Sequence, residues 1–94
     1  MSEQNLAHTL MQQGELGRAV TLFRHNYEAE RRLGGYGGKD TVTAAHWLAI
    51  CLLRAGRKAD ALALLDDFLQ HTELREGSRA LAALRELRQR AAKD

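Results

Sequence analysis

The sequence predicts an all-α protein: two antiparallel helical hairpins plus a C-terminal capping helix, arranged as a short α–α superhelix. Three observations favour this fold class. Ala, Leu, Arg, Glu and Gln dominate a chain without proline, and all five are good helix formers. Apolar residues recur at spacings of three and four. The residues around Gly14 reappear around Gly56, 42 positions later.

This internal repeat is the strongest organisational signal in the chain. A window of 17 residues contains six identities at the same offset. A period between roughly 20 and 50 residues is typical of solenoids, in which one supersecondary unit is stacked on the next. Solenoids usually present a surface to a partner and seldom house chemistry. The identical pairs are Leu6 and Leu48, Ala7 and Ala49, Leu10 and Leu52, Gly14 and Gly56, Ala19 and Ala61, and Leu22 and Leu64.

The first repeat is predicted over about residues 2–35. Ser2 can cap its first helix, because its hydroxyl accepts from free first-turn amides. Gly14 ends that helix, and a second helix is expected over about 16–33. Gly34 and Gly35 end the second helix, since glycine tolerates the left-handed closing conformation. The positions expected to face inward are Leu6, Ala7, Leu10, Ala19, Leu22, Phe23 and Tyr27.

The second repeat is predicted over about residues 40–71. Asp40 or Thr41 is expected to cap a third helix that runs to about Ala55. Gly56 should then turn the chain with a positive φ into a fourth helix over about 58–71. The inward positions of that fourth helix are Ala61, Leu64, Leu65 and Phe68.

A capping helix is predicted over about 78–92, after a polar break from Thr72 to Gly77. Ser78 is its expected cap. The inward stripe is Ala80, Leu84, Leu87 and Ala91, and we expect it to pack on the second hairpin.

Composition limits the classes of function. The 94 residues make one small domain, and 14 basic against 12 acidic residues is too balanced for a dedicated nucleic-acid protein. A single cysteine excludes a disulfide scaffold and fits a cytoplasmic compartment. We expect no signal peptide, since the N-terminus is polar, and no membrane contact, since no apolar run approaches about 18 residues.

We expect neither catalysis nor metal binding. Cys51 lies among apolar residues and is predicted to be an inert core thiol. The four histidines lack a metal-ligand spacing, so neither a metal nor a cofactor is predicted. Asp66 and Asp67 are interpreted as a solvated face. The glycine-rich run 34–38 lacks the lysine and hydroxyl of a phosphate loop and is interpreted as a flexible connector, with Gly38 in a longer loop that leaves the backbone alternative routes.

Both hairpins carry Leu-Ala, then Leu three residues later, a turn glycine, and an Ala on the second helix. The residues are Leu6, Ala7, Leu10, Gly14, Ala19 and Phe23, and again Leu48, Ala49, Leu52, Gly56, Ala61 and Leu65. This pattern resembles the tetratricopeptide repeat, and its 42-residue period resembles the longer kinesin-light-chain type. The resemblance covers about residues 3–70.

The resemblance implies a protein–protein interaction module of the adaptor or chaperone-like kind. In that family a partner peptide or helix lies along the concave face formed by the first helix of each hairpin. Carried over by position, the expected partner-binding residues are Asn5, His8, Met11, His46, Trp47, Ile50, Leu53 and Arg54.

Two alternatives stay open. The third helix is apolar nearly all round, so either a partner or another part of the chain must cover it. The fifth helix or the first hairpin could do so. Alternatively, Trp47, Ile50 and Leu53 could form the two-fold interface of an obligate homodimer, and we expect such a dimer. A nucleic-acid regulator that uses the basic last helix is a weaker alternative, since glutamates interrupt its basic face.

Overall fold

The computed structural model describes residues 3–36, 38–71 and 79–93, and within them the chain forms five α-helices and no strand. The helices are α1 (Glu3–Gln12), α2 (Leu16–Gly34), α3 (Lys39–Arg54), α4 (Lys58–His71) and α5 (Arg79–Lys93). These bounds confirm the predicted all-α class. The helix ends lie within two residues of their predicted positions, except that α3 begins two or three residues earlier than predicted. The predicted caps Ser2 and Ser78, the break from Thr72 to Gly77, and the side chain of Ala80 fall outside the described residues.

The two hairpin turns are the same structure, repeated 42 residues later. The amide of Gly14 donates to the Met11 carbonyl at 3.1 Å, and the amide of Gly56 donates to the Leu53 carbonyl at 3.1 Å. The next residue of each turn donates to Leu10 and Leu52, both at 2.9 Å. These two bonds form a Schellman motif, which needs a left-handed residue. Gly14 and Gly56 supply it with φ of 84° and 76°, which confirms the positive φ predicted for Gly56.

A turn of three residues brings the second helix of each hairpin back along the first. Ala7 and Ala49 lie fully buried where the helices of their hairpins meet, and so do Ala19 and Ala61 on the returning helices. A small side chain at these positions lets the two backbones approach closely. The residues that repeat in the sequence therefore occupy equivalent packing positions in the two hairpins.

One repeat pair departs from this equivalence. Leu48 is fully buried, whereas Leu6 is 40% exposed, so the inward position predicted for Leu6 was wrong. The reason lies in the order of the helices. Helix α3 packs against α2 of the first hairpin, whereas no described helix packs on α1 in the corresponding way. The leucine at this repeat position is therefore buried in the second repeat and exposed to solvent in the first.

Helix α3 begins without the cap that the sequence predicts. The helix starts at Lys39 with Gly38 at the N-cap position, and no side chain caps it. The Thr41 hydroxyl, which is buried, instead donates to the Glu30 carbonyl at 3.0 Å. Thr41 therefore ties the start of α3 to the preceding helix rather than to its own first turn, and neither Asp40 nor Thr41 is the cap.

The glycine-rich connector is held by Tyr36, which corrects the interpretation of this segment as a flexible link. Arg31 donates to the Tyr36 hydroxyl at 3.2 Å, and that hydroxyl donates to Asp67 at 3.1 Å. The Tyr36 ring stacks on His71 with centroids 5.2 Å apart and also contacts Phe68. A single aromatic side chain thus joins the end of α2 to the end of α4.

Helix α5 packs against α4 and α3, with Leu81, Leu84 and Ala91 buried and Leu87 partly buried. Leu81, which the predicted stripe omits, is among the most buried. An ion pair between Arg88 and Asp66 joins α5 to α4. Asp66 and Asp67 are therefore more than the solvated face predicted for them, since one holds α5 and the other holds the glycine-rich connector.

Gly56 and Gly17 provide a matched pair for testing the left-handed turn. A Cβ added at either glycine meets nothing within 4 Å, so crowding does not separate them. We expect Gly56→Ala to cost about 1–2 kcal/mol of stability, because an L-residue is strained at positive φ. Gly17 lies inside α2 with ordinary geometry, so Gly17→Ala should stabilise by up to about 1 kcal/mol. Urea unfolding of both variants tests this, and equal shifts would contradict it.

Gly38 is a poor control for such a test. A Cβ there would lie 3.1 Å from the Gly34 carbonyl oxygen and 3.1 Å from the Thr41 hydroxyl. The alternative routes expected for the backbone at Gly38 are thus restricted, because the start of α3 lies close to the end of α2. Valine at position 38 would be destabilising because its Cβ is crowded by neighbouring atoms. Valine at position 56 would be destabilising because the backbone there has a positive φ.

Candidate interaction surface

The first helices of the two hairpins meet through an aromatic cluster. His8 of α1 lies edge-on to Trp47 of α3, with ring centroids 4.4 Å apart and an interplanar angle of 83°. The same imidazole also makes an edge contact with Phe23 of α2 at 5.1 Å. His46 flanks Trp47 on the other side at 5.5 Å. Edge-on aromatic geometry is favourable, so these contacts hold Trp47 half-buried at the surface between α1 and α3.

A groove runs along the other flank of α3, between this helix and α5. Its volume is about 290 Å³. His46 and Ile50 form the α3 side, and Ala83 and Leu87 form the apolar part of the α5 side. Glu86 and Arg90 also line the groove and are joined by an ion pair at 2.8 Å. The lining therefore combines apolar side chains with one charged pair.

The structure brings together only part of the predicted partner-binding set. His8, His46, Trp47 and Ile50 form one continuous half-buried surface. Leu53 is half-buried one turn further along α3 and packs against the core. Asn5 and Arg54 are exposed.

Met11 does not belong to this surface. Its side chain is only 6% exposed and lies in the hydrophobic core, because α1 turns that position toward α2. A partner on the surface of α1 and α3 would not reach it.

The apolar face of α3 is less free than the sequence suggests. Trp47, Ile50 and Leu53 are all partly buried against the core. His8 of the first hairpin covers one side of α3, and α5 packs along the other. The first hairpin and α5 therefore both cover part of α3. The exposed apolar area that the expected homodimer would bury is correspondingly smaller.

Sequence reasoning missed the part of the surface that α5 supplies. Ala83, Glu86 and Arg90 line the groove but belong to a helix that was predicted only as a cap. The spacing of Ala83 to Leu87 and of Glu86 to Arg90 was a usable signal, since residues four apart share a helix face. Which neighbour that face meets could not be deduced without the packing of α5 on α3.

Burial controls the charge of the histidine in this groove. Desolvation lowers the pKa of His46 from its ordinary value of 6.5, because the surrounding protein disfavours the imidazolium. The unfolded chain therefore binds this proton at a higher pH than the folded chain does, and the folded state is destabilised as the pH falls below 6.5.

We expect part of the acid-induced loss of stability between neutral pH and pH of about 5 to disappear in His46→Gln, which cannot be protonated there. His25→Gln is the matched control, since His25 is exposed. Chemical denaturation at a series of pH values measures the effect. A steeper loss in His46→Gln than in the wild type would contradict it.

The chain's one cysteine side chain lies in the core. Cys51 is fully buried, its Sγ lies 3.9 Å from the Leu16 carbonyl oxygen, and burial raises its pKa. A buried neutral thiol is a poor nucleophile. Within the described ranges no three His, Cys, Asp or Glu side chains are grouped so as to hold a metal ion. No helix in the same ranges has the length and apolar character required to cross a membrane.

The repeated hairpin, with its paired turns and its buried alanines, identifies the family once it is compared with known proteins. The tetratricopeptide repeat matches residues 1–73. This chain belongs to the tetratricopeptide repeat family. Neither the curated proteins nor the solved structures contain a match to the chain. Tetratricopeptide repeats are in general non-catalytic modules for protein–protein interaction.

In this tetratricopeptide repeat protein, α1 to α4 form the two repeats and lie within the matched residues, whereas α5 lies beyond them. Helix α5 contacts α4 and α3, as α3 contacts α2. It therefore occupies the place that the first helix of a further repeat would take, and it extends the surface formed by α1 and α3.

Proposed function

We propose that this tetratricopeptide repeat protein is an adaptor that holds a short segment of a partner protein on the surface formed by α1, α3 and α5. The observation that carries the proposal is the groove between α3 and α5, whose lining residue His46 contacts the half-buried Trp47. Sites of this kind bind a segment by burying its apolar side chains, while a few polar groups fix its direction. The partner is an amphipathic helix or an extended peptide, which rests on His46, Trp47 and Ile50.

The mechanism is display on a rigid scaffold. His8 contacts both Phe23 and Trp47, so the aromatic surface is attached directly to the core. Leu84 holds α5 against the core, and the half-exposed ion pair between Arg88 and Asp66 adds a second contact to α4. A surface that is already ordered costs less conformational entropy on binding. Nothing in this mechanism makes or breaks a bond.

Neighbouring alanines on α5 allow a matched test of the groove. Ala83 lines the groove and Ala82 does not, although both are exposed. We expect Ala83→Glu to place a charge among the apolar side chains of the lining and abolish capture of the partner, while Ala82→Glu leaves capture unchanged. Both variants should melt at the same temperature, since surface substitutions away from special features usually change stability by about 0.5 kcal/mol or less.

Quantitative affinity capture from source-cell extract, followed by calorimetry with each purified candidate, gives the measurement. Candidates retained by the wild type and by Ala82→Glu, and lost from Ala83→Glu, support the groove. Equal retention by all three proteins would contradict it.

A homodimer through Trp47, Ile50 and Leu53 is the alternative occupant of this surface. Light scattering of the wild type separates the two, since a monomer of 10.5 kDa leaves the surface available to another protein. The basic face of α5 offers less to nucleic acid than its sequence suggests, because Arg88 and Arg90 are paired with Asp66 and Glu86. The buried reduced cysteine is compatible with the cytoplasmic location that we include in the proposal.

A further inference from the structure

The groove between α3 and α5 continues into a second, smaller cavity. The larger cavity, of about 290 Å³, lies between the α3 residues His46 and Ile50 and the facing side of α5. The smaller cavity, of about 110 Å³, is lined by Val42, Thr43, His46 and Ala83. His46 and Ala83 line both cavities, so the two are neighbouring parts of one groove.

The two cavities are separated by about one helical turn. On α3 the smaller cavity lies between Val42 and His46, and the larger cavity lies between His46 and Ile50. Their centres are therefore about four residues apart along α3, which corresponds to about 6 Å at the rise of an α-helix. Two side chains at positions i and i+4 of a partner helix have the same separation along its axis and share one face.

The polar side chains of the groove already have partners within the protein. The Thr43 hydroxyl donates to the Lys39 carbonyl at 3.3 Å, within its own helix. Glu86 and Arg90 are paired with each other at 2.8 Å. A lining of this kind offers no regular row of donors and acceptors to the backbone of a ligand.

An extended peptide is a poor match for this lining. Each of its residues brings one N–H and one C=O group, and these groups need partners when they leave water. Extended segments commonly obtain such partners by joining the edge of a β-sheet, and the described part of the chain contains no strand. An α-helix pairs its own backbone groups, so it can enter the groove with its side chains alone.

We propose that the groove binds an amphipathic α-helix of the partner, whose small and large aliphatic side chains, four residues apart, occupy the smaller and the larger cavity. The inference rests on the proposed function and narrows its partner to one conformation. The difference in volume assigns a residue such as valine to the cavity beside Val42 and one such as leucine to the cavity beside Ile50 and Leu87. Ala83 lies between the two cavities, and its small side chain lets the backbone of a partner helix approach.

Host peptides composed of glutamine, glutamate and lysine test the conformation and the spacing. The probe is acetylated and amidated and carries valine and leucine four residues apart, in either order. One control has proline between them, which breaks the helix. The other control has valine and leucine two residues apart, which places them on one side only in an extended chain. With isotope-labelled protein, we expect at least one order of the probe, and neither control, to shift amides of residues 42–50 and 83–90.

The conformation of the bound probe is measured directly. Short isolated helices are marginal in water, so the free probe is largely disordered. Transferred nuclear Overhauser effects between successive amide protons should show that the probe is helical when bound. An extended bound probe, or equal binding by the peptide with proline, would overturn the inference, whereas the groove itself would remain a binding site.

Thr43→Leu and Thr21→Leu are matched variants for the smaller cavity. Both threonines are exposed, and each hydroxyl donates to the carbonyl four residues earlier in its own helix. Leucine at position 43 should fill the smaller cavity and weaken binding of the probe several-fold. Thr21 lies on α2, outside the groove, so Thr21→Leu should leave binding unchanged. Leucine is a better helix former than threonine, so we expect both variants to remain folded.

Unchanged or tighter binding in Thr43→Leu would overturn the inference, and so would the absence of a response to both orders of the probe. Neither result touches the proposed function, which is judged by whether captured partners are lost from Ala83→Glu. Retention of those partners by Ala83→Glu would count against the proposed function itself.

Discussion

Phe68→Ala is expected to destabilise the protein by about 3–5 kcal/mol, which is the range for truncating a buried phenylalanine. Phe68 is fully buried on α4 and contacts the rings of Tyr27 and Tyr36. Its removal leaves a cavity between α4, α2 and the glycine-rich connector. Because native domains are stable by only about 5–15 kcal/mol, this loss would unfold a large part of a marginal chain. Urea unfolding followed by circular dichroism measures it.

Leu33→Ala is the control for Phe68→Ala. Leu33 is 85% exposed, so its truncation should change stability by no more than about 0.5 kcal/mol. A loss below about 1 kcal/mol in Phe68→Ala would mean that the surrounding helices collapse into the space, and would contradict a rigid junction at Tyr36.

Removal of α5 is expected to have the second large effect. A chain that stops after Gly77 loses the helix whose Leu81 and Leu84 are buried and which packs along α3 and α4. The apolar surface left behind has nothing to cover it, and terminal elements with a polar outer face are needed to keep such arrays soluble. We expect a lower melting temperature and aggregation in light scattering.

Two substitutions in the 94-residue chain test whether the effect of truncation comes from the buried contact of α5. Leu84→Asp should reproduce the loss, since it places an unpaired charge in the buried contact of α5. Ala82→Asp, two residues away and exposed, should not. A truncated protein that is soluble and as stable as the wild type would show that α5 does not support the two hairpins.

Local sequence patterns predicted most of the helices, for clear physical reasons. Gly14 and Gly56 are needed for a left-handed turn, and few other residues tolerate it, so their spacing revealed the repeat. The buried alanines and Phe23 follow a helical period that depends only on neighbours along the chain.

The incorrect predictions concern contacts between distant segments. Leu6 has the same local pattern as Leu48, but no described helix packs on α1 in the way that α2 packs on α3, so Leu6 is exposed. Thr41 is a residue type that often caps helices, but its hydroxyl donates a hydrogen bond to a carbonyl of α2 instead. Tyr36 lies among glycines that indicate flexibility, and its partners Arg31 and Asp67 come from two different helices.

The groove between α3 and α5 could not be predicted for the same reason. It is formed by two helices whose relative placement depends on tertiary packing. Helix periodicity showed which face of α3 carries His46 and Ile50, but not that Leu87 of α5 lies across from them.

The packing of α3 on α2 has a consequence for the order in which this protein can fold. These two helices belong to different repeats, yet among the described helices their mutual contact is the most extensive. The pair of helices with the most extensive contact is therefore not the pair that forms one sequence repeat. During synthesis the first hairpin leaves the ribosome with the side of α2 that α3 will cover still open to water. That side closes only when residues up to Arg54 have emerged, and until then the nascent chain exposes apolar surface that favours aggregation.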